Sequence, residues 1–209
     1  MAAPLRVERL GAEKYQIATA TKQTQSALWV EWGRITRFLE SARLAFARER
    51  SLWTTAEFED REEVRLVSTN GGGSYSVSLE QHVEAVNDEQ TLYASVLIHS
   101  YAIAEAGAAK KLGADQRTLG SIEDWGGRLL KANSTDWHLV TGGLAGLLEV
   151  AFVRNAFAHG NRTVTPKDQS RLARAGARPR TAGTPVTLSY DELRLFRSRL
   201  RSLMNVGSV

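Results

Sequence analysis

The spacing of apolar residues is the feature that most constrains the fold of this chain, because several long segments follow the helical period. In residues 13–50, Leu28, Trp32 and Ile35 recur in steps of three and four and so lie on one face of a helix. Ser121 and Ser189 stand where helix N-caps are expected, each with an acidic residue three positions later. Such patterns predict a mainly α chain, a helical bundle drawn from residues 13–50, 89–112, 121–131, 136–158 and 190–206.

One stretch changes to the period of a β-strand. Residues 63–69 and 74–80 alternate polar and apolar side chains on either side of the glycine-rich turn 70–73. No Gly-Lys-Ser or Gly-Lys-Thr follows these glycines, which argues against a phosphate-binding P-loop. We therefore predict a small β-hairpin insertion at about 63–80.

Positive charge is concentrated towards the end of the sequence. The net charge is +4, and residues 162–209 carry ten Lys and Arg against three Asp and Glu. Residues 161–187 contain Pro, Gly and Arg without a regular period and are predicted to form a basic flexible loop. Arginine binds phosphate through planar, paired hydrogen bonds, so this part of the chain is a candidate nucleic-acid surface. Solvated surface without a nucleic-acid partner is the alternative.

The absence of cysteine removes several classes of function. With no Cys in 209 residues, the chain has no disulfide framework, Cys-bound zinc, iron–sulfur cluster or catalytic thiol. The histidines show no H-x-x-x-H or H-x-H spacing, so neither a metal site nor a cofactor is predicted. No apolar run approaches the roughly 20 residues that cross a bilayer. We expect one domain over residues 1–209, without a membrane span or secretory leader, in the cytoplasm.

Residues 153–162 combine side chains suited to phosphate chemistry, at the end of an apolar helix that Gly160 follows. Asn155 and His159 are four residues apart and share a helix face, whereas Arg154 lies about 140° from His159 around the axis. A long arginine side chain can still wrap around the helix to reach the same anion. Histidine moves protons near neutral pH and arginine stabilises negative charge, a combination suited to phosphodiester cleavage. The structural alternative is that His159 only caps the helix and that Arg154 forms a surface ion pair.

The segment resembles the R-N-x-x-x-H signature of the HEPN superfamily in Arg154, Asn155 and His159. These are small helical proteins of prokaryotic toxin and defence systems. The similarity covers about residues 89–159 and the last helix. It implies a HEPN-like helical bundle of four to five helices and a metal-independent endoribonuclease that acts as a homodimer, with the two motifs facing one another. Such an enzyme would be a toxin of a toxin–antitoxin pair or an antiviral or stress effector.

The resemblance also assigns roles to individual residues. His159 is the acid or base, Arg154 holds the scissile phosphate, and Asn155 orients the pair. Family members often add an acid on the preceding long helix; the candidate is Glu105, which could equally be an ion-pair partner of a neighbouring helix. The candidate RNA-binding residues are the basic side chains near the motif and at the end of the 89–112 helix: Arg162, Lys167, Arg171, Arg174, Lys110 and Lys111.

The resemblance leaves the protein partner open. Asn161 stands where one subgroup carries a Tyr that a nucleotidyltransferase antitoxin modifies, so an antitoxin of that kind is not expected. RNA is the expected partner, together with an antitoxin or regulatory protein of another kind. The alternative function is a non-catalytic HEPN-like helical module that binds a protein partner or a nucleotide.

Overall fold

The computed structural model describes residues 27–55, 63–68 and 75–209. Within these residues the prediction of a mainly helical chain with a small hairpin is confirmed, but there are seven α-helices in place of the expected four to five. The predicted helical residues 13–26 and the turn 70–73 lie outside the described residues. The helices are α1 (Ala27–Thr55), α2 (Leu79–Asn87), α3 (Glu89–Leu112), α4 (Ile122–Ala132), α5 (Gly143–Ala158), α6 (Pro166–Arg174) and α7 (Tyr190–Val206). None of these described helices is long and apolar enough to cross a bilayer.

Helix α3 is the centre of the bundle and packs against α1, α4, α5 and α7. Its small residues make this possible, since Ala104 and Ala108 are fully buried and let neighbouring helices approach closely. Trp125 of α4 and Phe196 of α7 are among the largest side chains that the core encloses completely. Burial of apolar surface between these helices, worth about 25 cal/mol per Å², is the main stabilising contribution.

The helices whose ends carry clear sequence signals begin and end close to where they are predicted. Ser121 and Ser189 each accept a hydrogen bond from the backbone three residues on, and Asp124 and Glu192 return the bond, which completes two capping boxes. Helix α3 ends at Gly113, whose φ of 61° lies in the left-handed region that glycine adopts without strain.

The hairpin consists of strands β1 (Arg65–Ser68) and β2 (Tyr75–Ser78), paired antiparallel with Leu66 opposite Val77. The predicted second strand continued to residue 80, but Ser78 instead caps α2 in a capping box with Gln81. Ser78 is therefore both the last residue of β2 and the N-cap of α2. The alternating pattern of residues 74–80 did not predict this helix.

Helix α5 is shorter than predicted, since residues 136–142 do not belong to it. Gly142 and Gly143 have φ values of 78° and 57°, a left-handed backbone that ends a regular helix. Trp137–Leu139 forms a separate 3-10 turn before them. The predicted helix over 136–158 is thus corrected to a turn followed by α5.

The prediction of a loop over residues 161–187 is wrong for its middle part, which forms α6. Thr165 caps this helix with Asp168, and Pro166 occupies its first turn, where the missing N–H costs nothing. Leu172 is the single buried side chain of α6, and one apolar position creates no periodic pattern from which a helix could be predicted. A bridge between Thr163 and Pro185 joins the two ends of the segment.

Candidate functional site

A cleft of about 200 Å³ lies between the C-terminal half of α5 and helix α6. Apolar side chains of both helices form part of its wall, among them Phe152 and Leu172. Its polar lining consists of Asn155, His159, Asn161, Asp168 and Arg171.

His159 occupies the C-cap position of α5, where its backbone N–H donates to the carbonyl of Asn155 at 3.0 Å. Gly160 follows in the left-handed region, with a φ of 72°, and turns the chain away from the helix. The imidazole is exposed at the mouth of the cleft. Histidine is the side chain that most readily gives and takes protons near neutral pH, so this position suits an acid–base role.

Asn155 lies one turn before His159 and lines the same cleft, as the four-residue spacing predicts. Its Oδ1 accepts a hydrogen bond of 2.7 Å from Nη1 of Arg154. This bond orients the side-chain amide of Asn155 and links it to a permanent cation on the neighbouring helix face.

Arg154 does not line the cleft and instead faces α3. Its Nη2 lies 3.7 Å from Oε2 of Glu105, and its guanidinium carbon lies 4.6 Å from the ring centroid of Tyr101. Within one protomer Arg154 is thus not among the residues that line the cleft, and its contact with the anion that faces His159 stays a prediction. The cation that joins Asn155 and His159 in the cleft is Arg171.

The Glu105 carboxylate is the ion-pair partner of Arg154 and is partly buried. Desolvation raises the pKa of Glu105 above its ordinary value, and the positive charge of Arg154 opposes this rise. Because desolvation is the larger effect, folding moves the ionisation of this carboxyl to higher pH.

We expect the free energy of unfolding of the Glu105→Gln variant, relative to that of the wild type, to increase as the pH rises. The folded-state pKa is raised, so the contribution of Glu105 to stability is full below its unfolded pKa, near 4.5, and is lost as the pH rises through the folded value. Glutamine cannot ionise and has no such loss. Urea unfolding of both proteins from about pH 4 to about pH 8 measures the difference, and a difference that does not change with pH would contradict this account.

Tyr101 contacts the candidate site through Arg154, and the sequence analysis did not single it out. Burial, together with the negative charge of Glu105, raises the pKa of its hydroxyl to about 12. Its ring contacts that of Trp125 edge-on, with centroids 6.3 Å apart. Tyr101 therefore provides a neutral aromatic surface on which the Arg154 guanidinium rests.

The predicted RNA-binding residues divide into two groups. Arg162 packs over the ring of Phe157 beside the motif, and Arg171 lies 3.8 Å from Glu123 while lining the cleft. Lys167 and Arg174 lie four residues before and three after Arg171, so they continue its face of α6. Lys110 and Lys111 are not part of this surface, since they line a separate apolar cavity at the end of α3.

A buried cluster of ion pairs holds the cleft wall in place. The sequence analysis did not predict this cluster. Glu149 of α5 is only 4% exposed and accepts a 2.7 Å hydrogen bond from Nη1 of Arg199. Its other carboxylate oxygen lies 3.5 Å from Nη2 of Arg180, which also lies 3.8 Å from Glu192. Since Arg180 belongs to the segment that contains α6, the cluster fastens that segment to α5. The one sequence feature that could have indicated this cluster is Glu149, a single acidic residue within the apolar sequence of α5.

Arg199 fills the space around the start of α5. A Cβ atom at Gly146 would stand 2.9 Å from its Nε, closer than such contacts occur. The guanidinium also donates to the Gly146 carbonyl at 3.3 Å. A side chain at this position would therefore require the Arg199 guanidinium to shift from its place beside Glu149.

Among the residues that the structure describes, no three His, Asp or Glu side chains group in a way that could hold a metal ion. Comparison of the chain with protein-family models, with curated proteins and with solved structures gives no match. The fold and the cleft thus define a mainly helical bundle with a cleft lined by histidine, asparagine and arginine.

Proposed function

We propose that this protein is a metal-independent endoribonuclease of the HEPN type, a toxin or an antiviral or stress effector. The observation that carries the proposal is the shared cleft, in which Asn155 and His159 of the R-N-x-x-x-H motif meet Arg171. An acid–base group, an amide donor and a cation around one concave surface are suited to phosphodiester cleavage.

In the proposed reaction the ribose 2′-oxygen attacks the adjacent phosphorus. A bond forms between phosphorus and the 2′-oxygen, and the bond from phosphorus to the 5′-oxygen breaks. The 2′-hydroxyl proton passes to a base, and the leaving 5′-oxygen receives a proton from an acid. His159 performs one of these transfers, while Arg171 and the amide of Asn155 donate hydrogen bonds to the phosphate oxygens.

Arg154 supports this site through Asn155. Its hydrogen bond to Asn155 Oδ1 holds the amide in one orientation, and Glu105 and Tyr101 hold the guanidinium in turn. In this proposal Arg154 is a positioning residue within its own protomer. Arg154 would contact the scissile phosphate only in the homodimer, where the motif of the second protomer is expected to face that of the first.

We expect the active species to be a homodimer. One motif provides a single histidine, whereas the reaction uses both a base and an acid, and a two-fold axis beside the clefts provides both. Light scattering is expected to give twice the chain mass of 23.0 kDa. A monomer that retains full nuclease activity at micromolar concentration would overturn the shared site.

RNA cleavage by the purified protein is expected to persist in EDTA. The side chains of the cleft supply proton transfer and charge stabilisation, so the proposed mechanism uses no metal ion. The products should carry 2′,3′-cyclic phosphate ends, which end-group analysis of a labelled oligonucleotide identifies. Activity that is lost in EDTA and restored by magnesium would contradict the mechanism, and absence of cleavage from every RNA tested would favour the non-catalytic binding module.

A further inference from the structure

A second cleft, of about 250 Å³, lies on another side of the bundle between α1 and α7. It contains none of the residues of the cleft beside His159. Its lining is rich in arginine and aromatic side chains, among them Trp32, Tyr190, Arg194, Arg197 and Arg201.

Arg197 is the central cation of this cleft and is only 9% exposed. Its Nη2 donates to the Thr36 hydroxyl at 2.8 Å and to the Trp32 carbonyl at 3.3 Å, while its Nε is buried without a hydrogen-bond partner. In the described part of the chain, no carboxylate lies within 4.0 Å of it. Burial lowers the pKa of Arg197 below its ordinary value, and the negative charge of Glu40 opposes this fall only in part.

Two further arginines of α7 extend the positive surface. Arg194 and Arg201 lie three residues before and four after Arg197, so all three share one helix face. Arg194 lies over the ring of Tyr190 at 5.8 Å, and Arg201 lies over the ring of Trp29 at 5.7 Å. Aromatic rings thus hold the guanidinium groups in place without neutralising them.

Glu40 is the acidic residue among the described residues that line this cleft, and its carboxylate already has partners. It accepts a hydrogen bond of 2.7 Å from the Tyr190 hydroxyl, and Arg43 lies 3.5 Å away. The cleft therefore keeps an excess of positive charge even with Glu40 ionised.

A buried guanidinium without an anionic partner is costly, and an anion that enters the cleft would offset that cost. Arginine forks match the oxygens of a phosphoryl group, and the volume admits a small ligand. We propose that the α1–α7 cleft binds the phosphoryl group of a small ligand, either free phosphate or a nucleotide. This site does not depend on the proposed nuclease activity.

The test measures binding of inorganic phosphate, ATP and adenosine by calorimetry, with chloride keeping the ionic strength constant. We expect phosphate or ATP to bind and adenosine not to bind. In the Arg194→Ala/Arg201→Ala variant, whose replaced side chains are exposed, affinity is expected to fall about tenfold to a hundredfold for each lost charged hydrogen bond. Arg197→Met should abolish binding while circular dichroism shows the helical content of the wild type.

Arg117→Ala is the matched control, because Arg117 is an exposed arginine outside both clefts. Its affinity for phosphate and ATP should equal that of the wild type. The proposal is overturned if neither phosphate nor ATP binds at millimolar concentration, if adenosine binds as well as ATP, or if the Arg194→Ala/Arg201→Ala variant binds as well as the Arg117→Ala control.

Discussion

Replacement of His159 by alanine is expected to lower the rate of RNA cleavage about 10²- to 10⁴-fold, the usual contribution of a positioned acid or base. The side chain is exposed at the end of α5, and the cap of that helix is made by its backbone N–H, which alanine retains. The variant should therefore fold normally and still bind RNA. Single-turnover cleavage of a labelled oligonucleotide, beside a binding measurement on the same oligonucleotide, separates the two properties.

His99→Ala is the matched control, because His99 is also an exposed histidine but lies on α3 and does not line the cleft. Its cleavage rate should equal that of the wild type. Equal rates for His159→Ala and wild type would remove His159 from the mechanism. Loss of helical content in His159→Ala would assign this residue a structural role instead.

Replacement of Glu149 by alanine is expected to lower the free energy of unfolding by about 3–5 kcal/mol, as when one partner of a buried ion pair is removed. The carboxylate is 4% exposed and lies between Arg180 and Arg199. Without it, two largely buried guanidinium groups remain with less negative charge beside them. Urea unfolding followed by circular dichroism measures the loss.

Glu149→Gln provides a second variant that keeps the shape of the side chain and removes only its charge. It should also lose stability, by less than the alanine variant, since the amide oxygen still accepts a hydrogen bond. Glu84→Ala on α2, an exposed glutamate, is the control and should change stability by less than about 0.5 kcal/mol. If Glu149→Ala were as stable as this control, the buried cluster would make no net contribution.

The sequence predicted those parts of the fold whose signals are local. Helices α3, α4 and α7 were predicted within a residue or so because Gly113, Ser121 and Ser189 act through neighbouring backbone groups. Helix α6 was missed because its packing uses one buried side chain, Leu172, which is too few to create a period.

The same distinction applies to the candidate site. The shared face of Asn155 and His159 follows from the geometry of one helix, and both residues line the cleft. Arg171 enters that cleft only because α6 folds back onto α5, and its part in the site could not be read from residues 153–162. The pairing of Glu149 with Arg180 and Arg199 likewise joins positions far apart in the chain, which no local pattern encodes.

The bridge between Thr163 and Pro185 has a consequence for how this protein can diverge. Because the bridge brings both ends of the α6 segment together, the residues between them form a loop that leaves the bundle and returns to the same place. Such a loop can change in length at little cost in loop-closure entropy and without displacing α5 or α7, provided that Arg180 keeps its contact with Glu149. The cleft wall that carries Arg171 can therefore be altered separately from the helices that carry the core and His159.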